Sequence, residues 1–401
     1  MSVNLFSLLP DEMMYSIISQ VEQAKAVYTM MRLDKRTYQY IENNHPLWQA
    51  LVEKHFPDHA QMISGVNLVP MQLYRRLITT ENHVGQNKHH MFTLKCNGWI
   101  RGVSSFGNKL VSSSISDVTH HTKEIKVIDM ENGKTLDNWI TISHYIHDVY
   151  LYQDKLAVSD EETLNVFNIN NNVKELQCKI ALDLLPLLIH EDKLFCLSSS
   201  GDIIYILDAN EEKLINSIYL NPAWFGRVNK DYKLKSVNVF NGKIFVCIIP
   251  YACRYNMIIV NGSQIKSILI PDYSPYTVCQ IGDEIFCGCQ NGAIAVLDLD
   301  GKLKRTIKTE FATIHQMFKF GRMLILCSKN GKVEVFDLTK EKIVQIIRPE
   351  DENDPNDVRN VNTTFFSMSN GRLFVWKASR NYIDVYDFGG VNEGKQLNQT
   401  G

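Results

Sequence analysis

Cysteine and histidine pairs are the residues of this chain whose types and spacing come closest to a metal or catalytic site. Cys287 and Cys289 flank a single glycine, and histidines are paired at 89–90 and at 120–121. A tetrahedral zinc site needs a second ligand pair at a matching spacing, and none follows. Buried core cysteines and solvated loop histidines explain these pairs better. Since G-x-S-x-G and H-E-x-x-H motifs are also absent, the sequence predicts no catalytic residue, metal or cofactor.

The composition is that of an ordinary globular protein of 401 residues, long enough for two or three domains. A net charge of −2 gives no reason to expect a nucleic acid or a membrane surface as a partner. Residues 1–13 contain two acids and no Lys or Arg, unlike a secretory signal. The nine cysteines are an odd number without paired spacing, which favours free thiols in a reducing compartment. We therefore expect a cytoplasmic protein, with the nucleus, or a host cytosol reached from an intracellular bacterium, as alternatives.

From about residue 91 onward the sequence consists of short β-branched and aromatic runs separated by Gly, Asn and Asp. One unit, clearest at 314–347, recurs six more times, starting near 103, 149, 187, 237, 278 and 365. Each unit has a tight turn, a "K/R/E-x-L/I/F" strand and a strand that closes on "V/I-x-D". This period is typical of four-stranded propeller blades, so the sequence predicts a seven-bladed β-propeller.

The repeats resemble WD repeats, with "V-F-D" where that family has "V-W-D", although no repeat contains the family's Gly-His pair. The seventh unit ends at residue 388, and the polar tail that follows cannot supply its outer strand. An open edge would invite aggregation. We therefore expect residues 91–96, "MFTLKC", to join the seventh blade as its fourth strand and close the ring.

Residues 10–56 have the texture of helices. Apolar residues at 13, 14, 17, 18 and 21 recur on one face of a 3.6-residue period, and Pro10 with Asp11 and Glu12 suits a helix start. Pro57 stops the last helix of this segment. "VPMQLYRRLIT" at 69–79 predicts one more short helix, and the polar stretch at 79–90 predicts a linker.

The helical segment resembles an F-box, whose motif begins Leu-Pro-x-Glu, continues with an apolar helix and ends in Leu-Trp. The matching residues are Leu9, Pro10, Glu12, Ile17, Ile18, Leu47 and Trp48. The aromatic residue usual in the second half of the motif falls on or beside Thr37, with Tyr38 as a stand-in. The resemblance covers about an eighth of the chain. The segment at 72–78 also resembles the helix that often follows an F-box ahead of a propeller.

The resemblance implies a non-catalytic adaptor that binds a Skp-type protein and, through it, a cullin-RING ubiquitin ligase, while the propeller binds the protein to be modified. The residues expected to contact the adaptor are apolar positions of the head: Leu9, Pro10, Met13, Met14, Ile17, Ile18, Val21, Val27, Met30, Leu47 and Trp48. Physical chemistry supports docking, because about forty residues rarely fold unaided and three short helices cannot cover all these side chains. The alternative is that the head packs on the propeller as a private cap.

Candidate substrate-binding residues lie in turns and connections of the repeats. Turns between second and third strands share one propeller face and carry Arg254, Tyr255, Lys329, Arg380 and Tyr382. In the resembling family such arginines often bind phosphorylated segments, and Arg can hold phosphate with two hydrogen bonds. The long connection at 221–232 carries Trp224, Phe225 and Arg227, residue types enriched in binding hot spots. Scattered, solvated loop charges are the simpler explanation of the first group.

The sequence thus predicts an α plus all-β chain with four parts: a three-helix F-box head at 1–56, a helical linker at 57–90, a seven-bladed propeller at 91–390 and a flexible tail at 391–401. Three functional hypotheses follow. The chain is a substrate receptor of a ubiquitin ligase, a propeller scaffold whose head binds an unrelated partner, or a propeller enzyme. The third lacks polar groups suited to catalysis, and the sequence does not identify the substrate protein.

Overall fold

The repeats fold as seven four-stranded antiparallel sheets, the blades of a β-propeller, as the sequence predicts. The computed structural model describes these residues of the chain: 11–21, 27, 30, 35–56, 70–86, 89–116, 123–130, 135–141, 146, 148–159, 163–169, 175–180, 184–190, 193–198, 203–208, 211, 213–219, 233–240, 243–249, 257–261, 264–270, 273–328, 331–348, 364–369, 371–377 and 381–388. The predicted tail at 391–401 lies outside them.

Helices precede the propeller: α1 (Asp11–Ser19), α2 (Lys35–Asn43), α3 (His45–His55) and α4 (Pro70–Gln86). Asp11 and Glu12 occupy the first turn of α1, where negative charge is favourable. Asn44 caps α3, and its side chain accepts a hydrogen bond from the backbone nitrogen of Leu47 at 3.0 Å. Because α4 shares a core with the other three helices, a self-contained three-helix F-box head is not confirmed. Below, "head" denotes the described residues from 11 to 56.

Helix α4 is longer than the short helix that the sequence predicted at 69–79. The polar stretch at 79–86 continues the helix that the sequence predicted to end at residue 79. The reason is a buried stripe at helical spacing, formed by Leu73, Leu77, Thr80 and Val84. The segment is polar on average because the other side of α4 carries polar side chains, and this average does not reveal the buried stripe.

The strands of the ring follow the repeats. One strand precedes the first blade, β1 (His90–Lys95). Blade one contains β2 (Gly98–Phe106), β3 (Lys109–Ser116), β4 (Lys123–Asp129) and β5 (Thr135–Thr141). Blade two contains β6 (Asp148–Tyr152), β7 (Lys155–Ser159), β8 (Leu164–Asn168) and β9 (Glu175–Ile180). Blade three contains β10 (Leu184–His190), β11 (Lys193–Ser198), β12 (Ile203–Asp208) and β13 (Leu214–Tyr219).

The remaining blades have the same order. Blade four contains β14 (Lys233–Phe240), β15 (Lys243–Ile249), β16 (Met257–Asn261) and β17 (Gln264–Ile268), and blade five contains β18 (Pro275–Ile281), β19 (Glu284–Cys289), β20 (Ile294–Asp298) and β21 (Leu303–Ile307). Blade six contains β22 (Gln316–Phe320), β23 (Met323–Cys327), β24 (Val333–Asp337) and β25 (Lys342–Arg348). Blade seven contains β26 (Thr364–Ser369), β27 (Arg372–Lys377) and β28 (Tyr382–Asp387).

The ring closes through β1, which is the outer strand of blade seven. It pairs antiparallel with β28, from His90 opposite Asp387 to Lys95 opposite Tyr382. The segment expected to close the ring at 91–96 therefore occupies that position, one residue earlier. First strands of neighbouring blades are also linked by polar side chains around the axis: the hydroxyl oxygens of Ser105 on β2 and Ser367 on β26 are 2.8 Å apart.

The hydrophobic core lies between neighbouring blades rather than within any one of them. Between blades five and six, for example, Phe286 and Ile294 pack with Leu324 and Phe336. Blades six and seven form a similar core that also receives Val84 of α4. Since each sheet covers its apolar faces with its neighbours, the ring has to be complete to be stable.

The repeated "V/I-x-D" has a structural cause in the turn that follows it. Asp337 at the end of β24 is buried, and its carboxylate accepts hydrogen bonds from the backbone nitrogen of Thr339 at 2.9 Å and from the Thr339 hydroxyl at 2.6 Å. Asp298 at the end of β20 likewise accepts a bond from the backbone nitrogen of Lys302 at 2.8 Å. Aspartate suits this turn because its short carboxylate reaches the next backbone N–H groups.

Candidate functional site

The head buries most of its apolar side chains in a core that extends into the propeller. The core residues are Met14, Ile18, Val27, Ile41, Leu47, Trp48, Leu51, Val52 and Phe56 of the head, Leu73, Tyr74 and Leu77 of α4, and Phe320 of β22. The ring of Trp48 lies 5.3 Å from that of Tyr74. A chain segment too short to fold alone is thus completed by α4 and blade six.

His55 joins three parts of the head core. Its Nδ1 lies 2.6 Å from the hydroxyl of Tyr74 on α4, and its Nε2 lies 2.9 Å from the carbonyl oxygen of Val21 beyond α1. Because a carbonyl oxygen can only accept, Nε2 carries the proton and donates it. Burial lowers the pKa of His55 from its ordinary 6.5, opposed by the bond to Val21. The joint is therefore built around a neutral imidazole.

One face of α1 stays open to solvent. Met13 is 51% exposed and Ile17 is 40% exposed, four residues apart and so on the same side of the helix. Ser16 and Gln20 are exposed beside them. We call these four residues the α1 stripe. Apolar side chains displayed together on a helix are the feature by which amphipathic helices dock into a partner's groove.

The residues predicted to contact an adaptor divide into groups. Met13 and Ile17 lie in the α1 stripe, while Val21 and Met30 are partly buried at the margin of the head core. Five residues are enclosed in that core and would support the surface rather than form it: Met14, Ile18, Val27, Leu47 and Trp48. Leu9 and Pro10 lie outside the described residues. Contact with an adaptor stays a prediction for all of them.

The second half of the F-box-like segment places its polar and aromatic residues on two sides of α2. Thr37, which occupies the position usual for an aromatic residue, is buried, and Tyr38 is exposed. The hydroxyl of Tyr40 donates a hydrogen bond to the carbonyl oxygen of Asp11 at 2.8 Å, which fixes the start of α1 against α2. A shallow cleft between α2 and α3 is lined by Tyr40, Asn44 and Pro46 among others.

The head and α4 pack on the propeller, as the cap hypothesis expected. The rings of Phe56 and Phe320 are 5.9 Å apart, and the carboxylate of Glu81 on α4 accepts a hydrogen bond from the backbone nitrogen of Arg322 at 2.6 Å. Gly321 has a positive φ of 56°, and a side chain there would collide with the Glu81 carboxylate. The contact between Glu81 and Arg322 depends on this glycine turn, which the sequence analysis did not identify.

The contacts that the structure describes between α4 and the propeller lie at one face of the ring. They involve the turns between first and second strands, at Gly321 in blade six and at Gly371 in blade seven, and Phe388 at the end of β28, whose carbonyl oxygen lies 2.9 Å from Nδ1 of His83. In an antiparallel blade the turn between second and third strands lies at the opposite end. The head therefore occupies the face opposite to the ends at which the second and third strands of each blade meet.

Most of the predicted substrate-binding residues lie outside the described residues: Trp224, Phe225, Arg227, Arg254, Tyr255, Lys329 and Arg380. The one that the structure describes, Tyr382, is half-buried at the start of β28, opposite Lys95 of β1. Binding of a substrate by any of them stays a prediction.

The residues considered first for metal or catalytic chemistry have structural roles where they are described. Cys287 and Cys289 are free and buried, and burial raises the pKa of both thiols, that of Cys289 to about 12. The His89 ring packs 5.2 Å from that of Tyr386, and His90 begins β1 rather than lying in a loop. Within the described residues no group of His, Cys, Asp and Glu side chains is arranged to hold a metal ion.

The fold defines the class: a seven-bladed β-propeller with a helical segment packed on one face, an architecture consistent with a protein-interaction scaffold. No family model matches the chain, and no curated protein matches it. Among solved structures, the chain is similar to the crystal structure of the computationally designed Ika8 protein, with a TM-score of 0.49 and 11% identity over 72% of this chain and 86% of that chain. In the described part of the chain, no helix combines the length and apolar character needed to span a membrane.

Proposed function

We propose that the chain is a substrate-recognition subunit of a Skp–cullin–F-box ubiquitin ligase. The head binds a Skp-type adaptor, the propeller binds the target protein, and ubiquitin transfer takes place on other subunits of the assembly. The observation that carries the proposal is the α1 stripe. It leaves Met13 and Ile17 uncovered in the segment that resembles an F-box, while neighbouring apolar residues of α1 are buried.

The energetics of the stripe favour a partner. Met13 and Ile17 each have about half of their surface in water, and covering that part is worth about 1 kcal/mol for each side chain. The polar residues Ser16 and Gln20 beside them keep the isolated chain soluble at this face. A surface of this kind suits a partner's groove, and the rigid core beneath it presents the helix without a further ordering cost.

The two faces of the propeller support the proposal that the adaptor and the target protein bind at separate surfaces. The head and α4 pack on one propeller face at the turns of blades six and seven that contain Gly321 and Gly371. The opposite face, on which second and third strands are joined, is separate from the adaptor-binding surface. A target protein held there and an adaptor held at α1 would not compete for the same surface.

The test is binding of the full chain to a purified Skp-type adaptor, measured by calorimetry. We expect the double substitution Met13→Asp with Ile17→Asp to abolish binding, because it places charge in an apolar contact. Leu269→Asp with Ile346→Asp is the matched control, since these residues are similarly exposed but lie in the propeller. The proposal is wrong if the native chain does not bind, or if both double variants bind alike.

A second candidate is a propeller scaffold whose head binds an unrelated partner, with no role in ubiquitin transfer. The observation that favours it is the packing of Phe56 on Phe320, which covers apolar surface that an F-box acting alone would leave to its partner. Failure to bind any Skp-type adaptor, with the α1 stripe still needed for capture of another protein, would support this candidate instead.

A further inference from the structure

The outer strand of blade three differs from every other outer strand described. The strand β13, "LINSIY", contains no charged residue and no proline. Leu214, Ile215 and Tyr219 are 50%, 47% and 54% exposed. The other six outer strands each contain at least one charged residue: Lys95, Asp137, Lys179, Lys266, Lys304 and Lys342.

Charges on an outer strand prevent it from pairing with another strand. They also act against pairing with a second copy of the same chain, because a two-fold axis places each strand against itself and brings like charges together where a charge lies near the axis. Since β13 alone lacks such charges among the described outer strands, a second copy that pairs with it antiparallel brings no charges of the two strands together.

We propose that β13 is a homodimerisation edge, at which two copies of the chain pair antiparallel. An axis through Ser217 would set Ile215 of one copy opposite Tyr219 of the other, a β-branched residue against an aromatic one. Such cross-strand pairs are favourable. The two sheets of blade three would then form one continuous eight-stranded sheet, which satisfies the backbone groups that the free edge leaves to water.

The position of β13 in the ring allows this dimer to form while the head and α4 stay packed on the propeller. The head and α4 pack on blades six and seven, and blade three lies across the ring from them. Dimerisation at the rim leaves the α1 stripe and both propeller faces uncovered. The inference is therefore independent of the proposed function, and the two can fail separately.

Blade five supplies the substitution that tests the edge. Where β12 and β13 pair, the register shifts so that Ile215 is an extra residue between Leu214 and Asn216. The same shift in blade five makes Lys304 the extra residue of β21. Ile215→Lys therefore puts into blade three the residue type that blade five carries at the equivalent position, and the fold should tolerate it.

The experiment is sedimentation equilibrium of the full chain over a micromolar concentration series. We expect a reversible dimer whose dissociation constant rises at least about tenfold in Ile215→Lys, and does not change in Leu303→Lys, a similar substitution at the outer strand of blade five. A native chain that stays monomeric, or a dimer unaffected by Ile215→Lys, would overturn the proposal. Pairing with an extended peptide of another protein would give the monomeric result.

A second measurement does not depend on any variant. Hydrogen exchange should slow, as the concentration of the native chain rises, at those amides of residues 216–219 that point away from β12, because pairing at the edge protects those backbone groups. The amides of β21 serve as the internal control and should not change. Exchange at 216–219 that is independent of concentration would contradict the proposed dimer.

Discussion

The carboxylate of Glu81 lies 2.6 Å from the backbone nitrogen of Arg322, so a helix outside the ring accepts a hydrogen bond from the first turn of blade six. Burial raises the pKa of Glu81, and the bond from Arg322 opposes that rise. We predict that Glu81→Ala lowers the free energy of unfolding by about 1 kcal/mol, because the Arg322 nitrogen loses its acceptor. Urea unfolding measures the loss. Glu81→Gln is the control and should lose less, since its amide oxygen still accepts; equal losses in the two variants would contradict this account.

The neutral imidazole of His55 predicts a pH dependence of stability. Because burial lowers the pKa of His55 below 6.5, the unfolded chain binds a proton more readily than the folded chain as the pH falls below that value. The contribution of His55 to stability is therefore present above pH 6.5 and is lost as the pH falls towards the folded pKa. We expect the melting temperature to fall between pH 7 and pH 5, and His55→Gln to reduce this fall. A pH profile unchanged by the substitution would show that other groups cause it.

Much of the propeller could be predicted from the sequence because its physical causes are local. Each "V/I-x-D" combines strand residues with an aspartate that caps the next turn, as Asp298 and Asp337 do, so each blade leaves its own signature. Closure by β1 followed from the lack of any other outer strand for blade seven. Predictions of this kind need only one segment and its immediate neighbours.

The candidate site was less predictable because its features depend on distant parts of the chain. The stripe of Leu73, Leu77, Thr80 and Val84 is readable in the sequence, but the surface that covers it includes Met323 and Phe366, more than two hundred residues away. Which apolar residues of α1 are open and which are enclosed is likewise decided by the helix that packs on it, α3, within the shared head core. The helical period of the apolar residues identified the apolar face of α1. It could not show which residues of that face are buried and which are exposed to solvent.

An ion-pair cluster links blades five and six, and its strength can be measured. Arg305 on β21 donates two bonds to Glu284, at 2.7 and 3.0 Å, and two to Glu341 of blade six, at 2.7 and 3.1 Å. The bonds from Arg305 and then Lys304 lower the pKa of Glu284 to about 2. Because the cluster is partly open to water, we expect Arg305→Ala to cost about 1 kcal/mol.

The pH dependence of this cluster has the opposite cause from that of His55. The lowered pKa of Glu284 means that its contribution is complete above pH 4.5 and is lost as the pH falls towards 2. Urea unfolding at pH 7 and at pH 3 should show a smaller difference between native protein and Arg305→Ala at the lower pH. If the native protein and Arg305→Ala differ in stability by the same amount at pH 7 and at pH 3, ionisation of Glu284 is not the source of the stabilisation.

A buried ion pair in blade seven secures the strand on which both ring closure and the head depend. Nε of Arg372 on β27 lies 2.7 Å from the Asp387 carboxylate on β28, and both side chains are largely buried. Asp387 also faces His90 of β1, and the next residue, Phe388, lies within hydrogen-bonding distance of His83 of α4. Loss of Arg372 takes this ion pair away from a carboxylate that is largely buried.

We therefore predict that Arg372→Met lowers the free energy of unfolding by about 3 kcal/mol, measured by urea unfolding. Removing both charges should cost less than removing one, because the penalty comes from a largely buried carboxylate that has lost its ion pair with Arg372. The double variant Arg372→Met with Asp387→Leu tests this and should recover most of the loss. If the double variant is as unstable as the single one, the pair acts through its packing and not through its charges. Hydrogen exchange at β1 should rise in Arg372→Met if the pair also secures ring closure, because β1 is held only by its pairing with β28 within its sheet.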